Sequence, residues 1–272
     1  TTIPVLERER VTIAGAGTFF HMAYLEAQRA APDRRIFGAR RAFVGGGAAK
    51  PPQLHYDVKA ELGGAGVVSG YGLTECPILS MATIHDPDQK LADTEGRAGP
   101  GVEVKVVTLA GAPAGPGEEG EIRAKGPNLM LGYVDGALDA DAFDDEGYFR
   151  TGDLGNLDAD VAITGRLKDV IIRKGENISA KEVEDLLFTA PKIADAAVIG
   201  LPDPSSGERA CAVVVAADPA DPPTLPELFD FLVQAGLMIQ KVPEQLEIVE
   251  VLPRNATGKV LKHELRAKYS DG

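Results

Sequence analysis

Gly45, Gly46 and Gly47, followed by Ala48, make a stretch of backbone that a planar ligand could approach closely, because no side chain blocks access and unusual φ values cost little. The run fits neither the GxGxxG nor the Walker A spacing, and a glycine triplet by itself reads as a tight turn. Gly70-Tyr71-Gly72-Leu73-Thr74-Glu75 offers an aromatic face, a hydroxyl and a carboxylate able to bind a magnesium ion that carries nucleotide phosphates. Asp153, after Tyr148-Phe149-Arg150-Thr151-Gly152, could accept two hydrogen bonds from a ribose diol, with Arg166 approaching the ribose or a phosphate. The plain alternative is an Asx turn and a surface arginine. Lys259, in Asn255-Ala256-Thr257-Gly258-Lys259, could bring a cation to a carboxylate and an α-phosphate at once; alone it is an exposed lysine.

These groups need elements to present them. The opening alternates between strand (VTIAGAG) and helix (HMAYLEAQRA), and a strand ending near Phe43 or Val44 feeds the glycine loop. PPQLHYDVKAEL has the leading prolines of a helix, and the strand GVVSG feeds Tyr71 to Glu75. Ligands of an α/β sheet lie beyond the carboxyl ends of its strands, which suits both loops. From about Gly101 the pattern becomes VEVKVV, EGEIRAKG and NLMLGYV between Gly/Pro-rich turns, predicting antiparallel sheet or a small distorted barrel.

A second unit is predicted from Lys168 or Asp169, with the strand DVIIRKG, a capping box at Ser179-Ala180-Lys181-Glu182 and a helix burying Val183, Leu186 and Leu187. ADAAVIG, ACAVVVA and LEIVEVL read as strands, PELFDFLVQAG as a helix capped by Thr224 and Glu227, and LKHELRAK as a closing helix. The fold class expected is therefore α/β and α+β. Residues 1–168 form the distal part of a large domain, α/β over 1–100 and β-rich over 101–168, and residues 169–272 form a small mobile α+β domain.

The 272 residues carry 28 basic and 41 acidic side chains, a net charge of -13 (28 minus 41), which disfavours nucleic acid or an anionic membrane as a partner. Local basic patches for an anionic substrate exist at Arg166, Lys168, Arg173 and Lys174, and at Lys259, Lys262, His263 and Arg266. Cys76 and Cys211 lie far apart without metal-ligand spacing, as in a cytosolic protein that keeps its thiols. No apolar run is long enough for a membrane span and no signal-peptide pattern opens the chain, so a cytoplasmic place is expected.

Taken together and in order, Gly46-Gly47-Ala48, Gly70 to Glu75, Tyr148 to Asp153, Gly165-Arg166-Leu167-Lys168-Asp169, Arg173-Lys174-Gly175-Glu176-Asn177-Ile178 and Asn255 to Lys259 resemble the motifs of the adenylate-forming superfamily of acyl-CoA ligases, luciferases and peptide-synthetase adenylation domains. The resemblance runs across essentially the whole chain and is greatest to bacterial acyl-CoA ligases. It implies that Gly46, Gly47, Ala48, Gly70, Tyr71 and Gly72 border adenine and the acyl pocket, that Thr74 binds phosphate, and that Glu75 binds Mg2+. It implies further that Asp153 and Arg166 hold the ribose, that Asp169 is a hinge, and that Lys259, with Thr74 and Glu75, serves acyl-adenylate formation. Lys174, Gly175, Glu176 and Asn177 are then expected at a pantetheine tunnel.

The implied reaction takes a hydrophobic carboxylic acid and ATP to acyl-AMP and pyrophosphate, then coenzyme A to acyl-CoA and AMP; self-association into a homo-oligomer fits the same resemblance. Alternatives within the resemblance are an acyl-AMP ligase or adenylation domain that loads a carrier protein; outside catalysis stands a nucleotide-binding fragment. The family's phosphate loop is expected upstream of these residues, so this chain alone is expected to be inactive. Two departures stand out: residues 157–163 are shorter than the usual hairpin and lack its Gly-Tyr element, and Lys50 replaces a usually apolar residue, where an inward orientation would favour a polar acid.

Overall fold

The computed structural model describes residues 2–15, 17–38, 41–47 and 50–270. The chain divides into two compact units, Thr1–Ile163 and Thr164–Gly272, five residues earlier than the boundary read from the sequence.

The first unit opens with α1 (Thr2–Arg8), β1 (Ile13–Ala14), α2 (Thr18–Arg29), β2 (Ala42–Gly45) and α3 (Pro52–Asp57), which runs on as a π-helical turn over Val58–Leu62. Pro52 at the start of α3 fits a position whose N–H would be unpaired anyway. β3 (Val67–Leu73), β4 (Cys76–Met81), α4 (Asp88–Asp93) and β5 (Arg97–Ala98) follow, and the strands form one sheet in the order β1-β2-β3-β4-β5. β1, β2 and β3 are parallel, whereas β4 returns antiparallel to β3. Phe37, Phe43, Leu54, Leu62 and Leu79 are fully buried.

The sequence suggested that a strand ends at Gly70 and releases Tyr71 to Glu75 as a loop. Instead β3 continues to Leu73 and only Thr74 and Glu75 turn, before β4 begins at Cys76. Glycine makes this tight hairpin possible: a Cβ at Gly70 would strike Met81 Sδ, and one at Gly72 would come within 2.5 Å of the Ile78 nitrogen.

β6 (Glu103–Val107), β7 (Gly120–Lys125), β8 (Phe149–Leu157) and β9 (Val161–Arg166) form a four-stranded sheet in that order, with α5 (Asp139–Ala142) between β7 and β8. NLMLGYV, predicted as a strand, contains none; residues 127–134 are turns and irregular backbone. An apolar run between Gly/Pro-rich turns suggested a strand, but the segment is instead tied to its neighbours through single hydrogen bonds. Within the short 157–163 segment only residues 158–160 turn between β8 and β9, with Asp158 N donating to Asp160 O at 3.4 Å.

In the second unit β10 (Val170–Arg173) and β11 (Glu176–Ser179) form a hairpin, then α6 (Ala180–Leu187), β12 (Ile193–Asp203), β13 (Gly207–Ala216), α7 (Leu225–Gln234), β14 (Gln245–Ile248) and α8 (Lys262–Tyr269). The sheet order is β11-β10-β13-β12, with β14 parallel to β13. Ile171, Ile178, Val183, Leu187, Val198, Leu228 and Leu232 interlock between the sheet and α6 and α7. Thr224 and Glu227 complete a reciprocal capping box on α7. At α6 only half of the expected box forms: Ser179 Oγ accepts from Glu182 N at 3.3 Å, while the Glu182 carboxylate goes to Lys241 Nζ. Among the described residues no helix is long and apolar enough to cross a membrane.

Candidate nucleotide site

In the first unit, the carboxyl end of β2 delivers Gly45, Gly46 and Gly47. A Cβ at Gly46 would lie 3.0 Å from Gly70 O, so the two glycines let adjacent strands end in close register, and Gly47 sits at φ 76. Ala48 lies outside the described residues.

Tyr71 and Asp153, 82 residues apart, meet: the Tyr71 hydroxyl donates to Asp153 Oδ2 at 2.7 Å. Both are buried, Asp153 at 4% exposure. The turn before Asp153 is fixed by Thr151, whose Oγ1 donates to Ile122 O at 2.6 Å and accepts from Asp153 N at 3.1 Å. Gly152 at φ 68 turns the chain between them. The result joins the β3–β4 hairpin to β8 around a buried carboxylate and an aromatic ring.

Thr74 is exposed at the hairpin tip and Glu75 is half-buried beside it. Glu75 Oε1 accepts from the Tyr133 hydroxyl at 3.0 Å and Glu75 O accepts from Met130 N at 2.8 Å. Sequence reasoning passed over Tyr133 because it read NLMLGYV as a strand; Pro127 and Gly132, which break strand pairing, were the available signal. Among the described residues there is no group of three or more His, Cys, Asp or Glu able to hold a metal. A single carboxylate is nevertheless what a cation chiefly bound to phosphates and water asks of a protein, so Glu75 and the Thr74 hydroxyl fit magnesium arriving with a nucleotide.

Lys50 is buried, and its ammonium donates to Leu91 O at 2.9 Å and to Ala92 O, at the carboxyl end of α4 where a cation is favoured. It is inward, but engaged by carbonyls. Close by, His21 is lowered to about 4, by burial first, against a hydrogen bond with the Val44 backbone and with Lys50 adding to the fall, so the imidazole is neutral at pH 7. Cys76 and Cys211 are both buried thiols, and burial raises Cys211 to about 12.

The second unit carries Arg166 at the end of β9 and Asp169 just before β10. Asp169 Oδ1 accepts from Arg266 Nη2 of α8 at 2.7 Å. Burial opposes ionisation of Asp169, but Lys262, Arg266 and Lys168 outweigh it and its pKa falls below the ordinary value. A depressed carboxylate stabilises the fold above its unfolded pKa and loses that contribution as pH falls through the folded one. Acid unfolding of an Asp169→Asn variant, followed by circular dichroism below about pH 4, is therefore expected to be less steep than that of the parent protein.

Lys174 and Gly175 form the two-residue turn between β10 and β11 at φ 51 and 85, the left-handed pair that a right-twisted hairpin prefers. Glu176 and Asn177 follow on the exposed start of β11. Much of the basic surface read from the sequence is consumed internally: Arg173 pairs with Glu244, Lys262 with Glu184 at 2.7 Å, and Arg266 with Asp169.

Lys259 sits on a turn built by Asn255. The Asn255 Oδ1 accepts from Thr257 N at 3.0 Å, Thr257 Oγ1 at 2.8 Å and Lys259 N at 2.9 Å. Gly258, at φ 83, donates its N–H to Asn255 O at 2.9 Å, and Arg254 Nη1 donates to Gly258 O at 2.5 Å. Lys259 is half-buried.

Residues 2–134 match the family described as AMP-binding enzyme, and residues 182–259 match the AMP-binding enzyme C-terminal domain. The medium-chain fatty-acid–CoA ligase of Escherichia coli (strain K12) is 38% identical over 270 residues, covering 97% of this chain and 46% of that protein. The 2,3-dihydroxybenzoate-AMP ligase of Bacillus subtilis (strain 168) is 33% identical over 272 residues, covering 98% and 49%. The crystal structure of ATP-bound MatB from Rhodopseudomonas palustris superposes with a TM-score of 0.89 at 32% identity, over 99% of this chain and 53% of that one. The chain thus spans about half the length of the curated relatives it matches.

Proposed function

Since this chain belongs to the adenylate-forming family of AMP-binding enzymes, we propose that the complete protein is an ATP-dependent ligase that activates a hydrophobic carboxylic acid as its acyl-AMP and passes the acyl group to coenzyme A. The observation that carries the reading is the buried Tyr71–Asp153 hydrogen bond, which gathers the hairpin bearing Thr74 and Glu75 and the strand bearing Asp153 around one carboxylate.

In the first half-reaction a carboxylate oxygen attacks the α-phosphorus of ATP, the new O–P bond forms, and the bond to pyrophosphate breaks. Asp153 holds the ribose hydroxyls, with Arg166 as a further donor to the ribose, and the glycine backbone of 46–47 and the Tyr71 ring border the base. Thr74 donates to a phosphate, Glu75 holds the magnesium, and Lys259 offsets the repulsion between the acid and the α-phosphate. Magnesium, when bound, supplies neutralisation of phosphate charge. In the second half-reaction the thiol sulfur attacks the acyl carbon, the thiol loses its proton, and AMP leaves with the bonding electrons. Lys174, Gly175, Glu176 and Asn177 serve this step along the pantetheine path, with movement about Asp169 separating the two steps.

Coenzyme A leads as acceptor because the medium-chain fatty-acid–CoA ligase is 38% identical to the chain over 270 aligned residues, against 33% over 272 for the 2,3-dihydroxybenzoate-AMP ligase. An assay of the complete protein against a panel of carboxylic acids, reading pyrophosphate and thioester separately, tests this. The expected result is both products from an alkanoic acid. Pyrophosphate without consumption of coenzyme A would move the acceptor to a carrier protein, and ATP binding without pyrophosphate would leave a nucleotide-binding role only.

A further inference from the structure

We propose that Tyr133 is a positioning residue for Glu75: its hydroxyl holds one carboxylate oxygen so that the other is presented to the cation that accompanies the nucleotide phosphates. The inference rests on the role given to Glu75 above and adds the device that aims it.

Glu75 needs such a device. It follows the exposed Thr74 on a two-residue turn, where a glutamate keeps its rotamers unless something holds it. The 126–133 segment grips it twice. Met130 N donates to Glu75 O at 2.8 Å and the Tyr133 hydroxyl donates to Oε1 at 3.0 Å. Oε2 accepts no hydrogen bond from any described residue, so the carboxylate is held by one oxygen and open at the other.

The segment is itself anchored. Asn128 Nδ2 donates to Pro77 O at 2.6 Å, Leu129 N to Gly126 O at 3.1 Å, and Tyr133 N to Asp139 Oδ1 at 2.9 Å. Gly132 stands at φ 153, and a Cβ there would come within 2.6 Å of Asp139 Oδ2, so a side chain at 132 would displace the carboxylate that holds the Tyr133 backbone. Leu131 and Val134 flank the pair fully exposed, so Tyr133 does not sit in an apolar cluster of its own loop.

The experiment compares Tyr133→Phe and Glu75→Gln in the complete protein. Two readouts are used: the affinity of the ATP-loaded protein for Mn2+ by electron paramagnetic resonance, and the magnesium dependence of pyrophosphate release. For Tyr133→Phe the expected result is Mn2+ affinity weakened and the KM for magnesium raised, each by roughly tenfold, the scale of one hydrogen bond to a charged group. The kcat at saturating magnesium, metal-free ATP affinity and Tm should stay close to the parent values. If Glu75→Gln loses metal affinity and Tyr133→Phe does not, the positioning role is overturned while Glu75 keeps its own. If Glu75→Gln binds Mn2+ as the parent does, both fall together. A Tyr133→Phe protein that loses Tm and metal-free ATP affinity as well would make the tyrosine structural and overturn the inference.

Discussion

Replacing Lys259 with alanine is expected to slow acyl-AMP formation by about a hundredfold to a thousandfold, the range found when one preorganised charge donor is removed from a transition state. Transfer from chemically prepared acyl-AMP to coenzyme A should change by less than about threefold, because that step is a substitution at the acyl carbon and no longer brings a free carboxylate against the α-phosphate. The Asn255 side chain and Gly258 build the turn and hold position 259 by its backbone, a hold that alanine keeps. Lys259→Arg should recover only part of the rate, since a planar guanidinium cannot replace a compact ammonium between two oxygens. The check is separate measurement of pyrophosphate release and thioester formation; equal loss in both half-reactions would remove Lys259 from its assigned step. Asn255→Ala is the contrasting case. It removes the acceptor of three hydrogen bonds and should lower both the rate and the stability of the turn.

The sequence was most readable where a local rule has few solutions. Thr224 and Glu227 form the capping box their spacing implies, and Pro52 starts a helix as the leading prolines predict. It was least readable where pairing depends on residues remote in the chain. The β3–β4 hairpin was taken for a strand and a loop, since nothing near Tyr71 announces that Met81 will pack against Gly70. Residues 128–134 look like a strand as an apolar run between turn-forming segments, but they find no partner strand and hang on Pro77, Glu75 and Asp139 instead. Tyr133 was missed for that reason. The Ser179 cap was half read: its hydroxyl accepts from Glu182 as expected, yet Lys241 captures the glutamate, a competition only the folded chain reveals. Lys50 shows the same limit from the other side, because an inward lysine was foreseen as a possible acid-binding group while the carbonyls of α4 that engage it lie about forty residues away.

Changing Asp153 to asparagine is expected to weaken AMP binding by about a hundredfold with little loss of fold. The count of acceptors explains the size. A carboxylate offers two oxygens with about four lone-pair sites, enough to accept the Tyr71 hydroxyl at Oδ2 and still receive both hydroxyls of a ribose. An asparagine has one oxygen, which Tyr71 would claim, and an NH2 that faces hydroxyls already needed as donors. Hydrogen bonds to a charged group are worth about 1.5–3 kcal/mol each, so losing charge and one acceptor together reaches the expected factor. Tyr71→Phe separates the parts: it removes the hydroxyl that donates to Oδ2 and keeps the carboxylate, so AMP affinity should fall by less than about tenfold. In the double variant the two losses should not add, because asparagine no longer has to serve the tyrosine. Calorimetric titration of AMP into the four proteins gives the cycle directly. Additive losses would mean that Tyr71 and Asp153, although hydrogen-bonded and buried together, act on the nucleotide independently, and the shared-acceptor account of the site would fail.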